Sequence, residues 1–129
     1  QLLKFDEIHR LRRKNKESIQ NIIETIPGCR VVRERSDSET SWFGVPIVCE
    51  ESKTKHALVA HLEANKIQTR NYFAGNILLH PGYCHLDDAK KYPEANKVLN
   101  NVFFLGCSPV ITDDMIGYIG EVVEDFRNA

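Results

Sequence analysis

The sequence predicts an α+β fold, a small, mainly antiparallel sheet with helices packed on one face. Stretches with apolar residues at three- and four-residue steps open and close the chain. Short β-rich runs lie between them, in the order helix, two strands, helix, strand, loop, short helix, strand, helix. The length of 129 residues, 42% of them apolar, fits one domain with a real core. No internal repeat, low-complexity stretch or second domain boundary interrupts it.

The opening QLLKFDEIHRLRRKNKESIQNIIETIPG carries Ile8, Leu11, Asn15, Ile19, Ile22, Ile23 and Ile26 at helical spacing. This predicts a long amphipathic helix over residues 1–28, stopped by Pro27 and by Gly28, which suits a left-handed cap. No start signal precedes it at Gln1, so the expectation is of a domain cut from a longer chain. CRVVRER reads as a strand, SDSETS as a polar loop and SWFGVPIVCE as a β-rich run. Pro46 cannot donate to a ladder, so that run is expected at an edge or with a bulge. Ser52 is expected to cap a helix over KTKHALVAHLEANK, with Leu58 and Leu62 sharing a face with Ala57 and His61.

IQTRNYF reads as a short strand. From Ala74 to Tyr92, glycines and a proline come too closely for a long regular element, which marks a functional loop. Pro93 suits the first turn of a helix over PEANKVLNN, and VFFLGCS reads as a buried strand. Thr112, Asp113 and Asp114 cap a last helix whose inner stripe is Met115, Ile116, Ile119, Val122, Val123 and Phe126.

Seventeen Lys and Arg against eighteen Asp and Glu give a net charge of −1, so no global field draws the chain to nucleic acid or an acidic membrane. The apolar runs are too short to span a bilayer and the N-terminus lacks a signal peptide's apolar core, so a cytoplasmic protein is expected. Cys29, Cys49, Cys84 and Cys107 never approach a C-x-x-C spacing and read as reduced thiols, three of them in apolar stretches.

HPGYCHLDD gathers His80, Cys84, His85, Asp87 and Asp88, enough ligand types for zinc or iron, but no second knuckle accompanies it, and no metal site is assigned. His56 and His61 stand five apart and lack the glutamate of H-E-x-x-H. No local pattern fixes a Cys-His nucleophile pair, and the basic run from His9 to Lys14 reads as a solvated helix face. The most informative stretch is TRNYFAGN. Arg70 offers a planar fork for phosphate or carboxylate, Phe73 a stacking surface, Gly75 a backbone that a ligand can approach, and Asn76 a donor with acceptors. It reads equally as a binding loop for a polar anionic ligand and as a strand end whose arginine pairs with a nearby acid.

Three blocks, QLLKF with RRKNKESI, SWFGVPI and TRNYFAGNILLHP, followed by the closing NKVLNNVFFLGCSPVITDDMIGYIGEVVEDF, resemble the DegT/DnrJ/EryC1/StrS family of sugar aminotransferases and dehydratases. FAGN leans toward its 3-dehydratase branch, whose CDP-4-dehydro-6-deoxyglucose enzymes serve lipopolysaccharide biosynthesis. The resemblance implies the C-terminal small domain of a fold-type I pyridoxal-phosphate enzyme, with residues 1–28 leading from a large domain and 29–129 forming the small one. It implies pyridoxal or pyridoxamine phosphate in the large domain, with the iron-sulfur cluster that some dehydratases carry there. This chain would hold no catalytic or cofactor-binding residue and be silent alone. Arg70, Phe73, Asn76 and His80 would then face a nucleotide-linked 4-keto-6-deoxy sugar that loses its C3 hydroxyl. The other implied partners are the chain's own large domain, a homodimer mate and a reductase. Leu79 and His80 depart from the dehydratases' basic residue and Gln at those places. C4 aminotransfer is the alternative chemistry, and an independent ligand-binding module is the alternative class.

Overall fold

The computed structural model describes residues 2–129. Gln1, with the missing start signal read there, lies outside the described residues. A single 3-10 turn, Leu2–Lys4, leads into helix α1 (Phe5–Ile23), whose first turn carries Asp6 and Glu7 at the positive end of the helix. The helix stops earlier than its periodicity suggests. The chain folds back through a tight turn in which the Cys29 amide bonds the Ile26 carbonyl at 3.1 Å, and this drops Ile26 into the core. Gly28, at φ 75°, stands at the entry to the next strand rather than at the helix cap.

Strands β1 (Cys29–Val31), β2 (Gly44–Cys49), β3 (Thr69–Asn71) and β4 (Val102–Gly106) form one sheet in the order β1-β2-β4-β3, antiparallel throughout. Between them run α2 (Ser52–Ala64) and α3 (Pro93–Asn101), and α4 (Asp113–Asn128) closes the chain. Side chains alternate across the pleat, so each strand has one inward set: Cys29 and Val31, Val45, Ile47 and Cys49, Phe103 and Leu105. Ile19 and Ile23 of α1, Leu58 and Leu62 of α2, and Ile119, Val122 and Val123 of α4 cover that set. Each fully buried aliphatic side chain contributes about 1.5–3 kcal/mol, so this layer is the main source of stability.

The predicted α+β layer is therefore present, with three helices on one face. The opposite face carries Arg30, Val48, Pro46, Phe104 and Arg70 by register, and α3 borders it.

Several local expectations need correction. β2 is a central strand, not an edge, and its register with β4 runs unbroken from Gly44 to Val48. Pro46 is tolerated because alternate residues of β2 direct their backbone polar groups to opposite neighbours. The Pro46 carbonyl accepts from Val32, so its missing N–H falls on the β1 side, just where the β1 ladder ends at Val31. Ser52 is the first residue of α2 and not its cap; Glu51 holds that place, without a side-chain bond. Ala57 is exposed, and Lys55 takes the buried position on that face. Met115 is exposed at the start of α4, while Ile116 and Phe126 are only partly buried. The Thr112 hydroxyl does cap α4, accepting from the Met115 amide at 3.3 Å.

Cys29, Cys49 and Cys107 are buried, Cys84 is exposed and all four are free thiols; burial pushes the Cys107 thiol up. Among the described residues no helix is long and apolar enough to cross a membrane.

Candidate functional site

The helix-free face of the sheet holds the chain's exposed aromatic cluster. Phe104, facing outward from β4, is its floor, with ring centroids 5.8 Å from Phe43, 6.4 Å from Tyr72 and 6.0 Å from Phe73. Phe43 and Phe73 are 73% and 71% exposed, far more than unliganded aromatic rings need be if they served only packing. Gly44 makes room for this floor, because a Cβ there would stand 2.6 Å from the Phe104 ring.

Two backbone irregularities shape the walls. Trp42 and Phe73 both have positive φ, at 37° and 51°. Such conformations cost bulky residues free energy and mark places where surrounding structure dictates the backbone. At Trp42 the irregularity interrupts strand alternation, so Phe43, with the parity of inward Val45, lies against Phe104 instead. α1 secures this turn: Arg12 donates to the Trp42 carbonyl at 2.9 Å, and the Lys16 ammonium sits 4.6 Å from the Trp42 ring centroid.

Trp42, Phe43, Pro46, Tyr72, Phe73 and Phe104 enclose a hollow of about 150 Å³. A second, of about 140 Å³, shares Phe43 and Phe104 with it and adds Gln68 and Arg70. A third, of about 630 Å³, runs from Tyr72 past Val48 and Val102 to α3. Shared walls make these one trough across the open face.

Arg70 lies on the open face opposite Phe104 and is exposed. Among the described residues it has no hydrogen bond or ion pair, so the reading of a strand end paired with a local acid does not hold. A guanidinium beside an aromatic hollow, with five free donors, fits a phosphate or carboxylate on a ligand with an apolar ring.

The rest of TRNYFAGN has other work. Asn76 is 2% exposed, and its amide is spent internally. Its Nδ2 donates to the Ala89 carbonyl and to Asn96 Oδ1, at 3.1 and 2.8 Å, and its Oδ1 accepts from the Leu78 amide, at 3.1 Å. Gly75, at φ 62°, is where the loop presses on α3: a Cβ there would lie 2.6 Å from Leu99 Cβ. Its freedom serves that close approach. His80 is exposed and bonds the Ala74 carbonyl through Nε2 at 3.1 Å, which ties the loop to itself. Arg70 and Phe73 thus reach the trough, while Gly75, Asn76 and His80 fix the loop beside it.

Among the described residues no three His, Cys, Asp or Glu side chains are placed to hold a metal ion. The residues of HPGYCHLDD are occupied separately: Asp87 holds Lys91 at 2.6 Å and the Tyr92 hydroxyl at 2.9 Å, and Cys84 bonds the Pro81 carbonyl. The two buried lysines, the natural imine formers, are committed: Lys16 to Gln20 at 2.5 Å and Lys55 to Asn71 and the Leu99 carbonyl. A polar hollow of about 470 Å³ beside α1 is lined by Arg13, Lys16, Glu17, Arg33 and Glu34, of which Arg13 pairs with Glu34, and Arg33 with Glu24 outside the lining.

Sequence reasoning named Arg70 and Phe73, which line the trough, and did not name Trp42, Phe43, Phe104 or Lys55. The signal for Phe104 was present: in VFFLG a sheet covered on one side must turn one of two adjacent phenylalanines outward.

The fold defines the class first. A four-stranded antiparallel sheet with three helices packed on one face recurs as about a third of larger solved chains. It matches GDP-4-keto-6-deoxy-D-mannose-3-dehydratase of E. coli, solved with bound hydrated pyridoxal phosphate, with a TM-score of 0.77 and 26% identity, over 95% of this chain and 32% of that one. Residues 1–124 match the DegT/DnrJ/EryC1/StrS aminotransferase family, and the chain belongs to that family.

Two curated relatives agree. A dTDP-4-dehydro-2,6-dideoxy-D-glucose 3-dehydratase from Saccharopolyspora spinosa is 32% identical over 98% of this chain and 28% of its own length. The lipopolysaccharide biosynthesis protein RfbH of Salmonella typhimurium is 27% identical over 98% and 30%. The chain spans under a third of the length of either relative.

Proposed function

We propose that this domain forms one wall of the active-site cleft in a pyridoxal- or pyridoxamine-phosphate enzyme that removes the C3 hydroxyl from a nucleotide-linked 4-keto-6-deoxyhexose, in the building of lipopolysaccharide sugars. The observation that carries the reading is Arg70: exposed, without a hydrogen-bond or ion-pair partner among the described residues, and set beside an aromatic trough, within the same TRNYFAGN stretch that leans toward the dehydratases. The 3-dehydratases matched at 26% and 32% identity support that chemistry, and RfbH supports the lipopolysaccharide setting.

In this reading Arg70 holds the diphosphate through charge-assisted hydrogen bonds, and Phe73, Phe43 and Phe104 pack a flat or apolar part of the ligand while displacing water. Gly75, Asn76 and His80 orient the loop. In this reading the cofactor, general acid and general base, with any iron-sulfur cluster and reductase contact, belong to the rest of the protein and to a homodimer mate.

The test is kinetic, in the full-length protein. Arg70→Ala should raise KM for the sugar nucleotide roughly tenfold or more, the scale of a lost hydrogen bond to a charged group, without lowering the unfolding midpoint. An unchanged KM removes Arg70 from the site. Mass analysis of the product distinguishes the chemistry: loss of the C3 oxygen supports dehydration, whereas an amine gained at C4 overturns it in favour of aminotransfer.

A further inference from the structure

Two of the trough's exposed groups, Arg70 and Phe73, sit on or just after the weakest part of the sheet. β3 is a three-residue edge strand, paired on one side only, and the 74–92 segment after it has no strand or α-helix of its own. Something else must hold Arg70 and Phe73 in place.

The one buried charge near them is Lys55, which is 4% exposed on the inner face of α2. Its Nζ donates to Asn71 Oδ1 at 3.1 Å and to the Leu99 carbonyl at 2.6 Å. Asn71 follows Arg70 in β3, and Leu99 lies in the last turn of α3, so one ammonium joins three elements: α2, β3 and α3. Among the described residues no carboxylate partners it, and burial holds its pKa below the ordinary lysine range. A buried ammonium bonded only to neutral acceptors is a costly way to stabilise a fold, which an apolar side chain of similar shape would do as well or better. Leu99 is also the residue against which Gly75 packs, and Asn76 bonds Asn96 one turn earlier on α3. Both ends of the ligand segment are therefore fastened to the same helix, and Lys55 makes the joint on the Arg70 side.

From this geometry we infer that Lys55 is a positioning residue for substrate binding: it sets β3 against α3 and so fixes where the Arg70 guanidinium and the Phe73 ring stand in the trough. The inference rests on the assignment of Arg70 and Phe73 to the sugar nucleotide. Lys55 touches no ligand itself and acts through Asn71.

The experiment compares Lys55→Met and Lys55→Arg in the full-length protein by amide hydrogen exchange and steady-state kinetics. Methionine keeps length and apolar volume and removes the ammonium; arginine keeps the donors. Expected for Lys55→Met is faster exchange confined to residues 69–76, with KM for the sugar nucleotide raised roughly tenfold and kcat within about twofold of the parent. Lys55→Arg should restore much of both. Should the methionine variant fail to fold, Asn71→Ala severs the same joint from the strand side and is expected to show the same pair of effects.

Unchanged exchange at 69–76 in Lys55→Met overturns the inference, and so does an unchanged KM in Lys55→Met when Arg70→Ala does raise KM. Failure of the site assignment looks different. Arg70→Ala then leaves KM unchanged, while exchange in Lys55→Met still decides whether the joint exists.

Discussion

Replacing Gly75 with alanine asks two separable things of the loop. The residue sits at φ 62°, where a side chain costs about 1–2 kcal/mol. The added Cβ would also stand 2.6 Å from Leu99 Cβ, 2.7 Å from its Cδ1 and 3.0 Å from its Cα, closer than nonbonded carbons approach. Forcing extra volume into a packed contact costs about 1–3 kcal/mol, and the partial exposure of Leu99 lets α3 yield toward the lower end. Together these predict a loss of about 2–3 kcal/mol.

Equilibrium urea unfolding, followed through the chain's one tryptophan, Trp42, measures the loss directly. Gly82→Ala is the control: that glycine has no positive φ, and nothing lies within 4 Å of its would-be Cβ, so its effect should stay within about 0.5 kcal/mol. Gly75→Asn separates the causes, since asparagine accepts the left-handed conformation but keeps the Cβ. A Gly75→Ala loss under about 0.5 kcal/mol would refute the claim that the loop is pressed against α3.

Asn76→Ala should cost about 2–3 kcal/mol, because the Leu78 amide and Asn96 are left without their partner in a buried setting; urea unfolding of the single and Asn76→Asp variants checks this, and a neutral alanine would contradict it. Glu34 predicts an acid response. Arg13 holds its carboxylate through two nitrogens, at 2.7 and 2.9 Å, and the Thr40 amide adds a third bond, and these lower its pKa from 4.5 to about 2. A depressed carboxylate stabilises the fold above its ordinary pKa and loses that contribution as pH falls toward the folded value. Unfolding midpoints should therefore decline between about pH 4.5 and 2, and Glu34→Gln should flatten that decline; parallel curves for the two proteins would refute it.

Much of this fold was legible because its signals are local. α3 starts at Pro93 and α4 at the Thr112 cap, where turn chemistry placed them, and the inward stripes of α1 and α2 follow from helical spacing. Pro46 misled because donation matters only on the side a residue faces, and sequence does not reveal which neighbour lies there. Part of the proposed site stands out in the sequence. Arg70 and Phe73 stand in a conspicuous stretch, whereas Lys55 looks like any lysine on a surface helix until α3 is seen to close over it. Gly75 reads in the sequence as backbone that a ligand can approach and Asn76 as a donor with acceptors, whereas their contacts with Leu99 and Asn96 lie twenty or more residues away.

α3 ends at Asn101 and β4 begins at Val102, with no residue between them. The helix that fastens the ligand segment is thus the stem of the strand that forms the centre of the sheet, and β4 is bound to β2 along five paired residues. Mechanically the two form a lever. A push on the trough wall is passed along α3 into β4, and the wall cannot swing without disturbing that ladder.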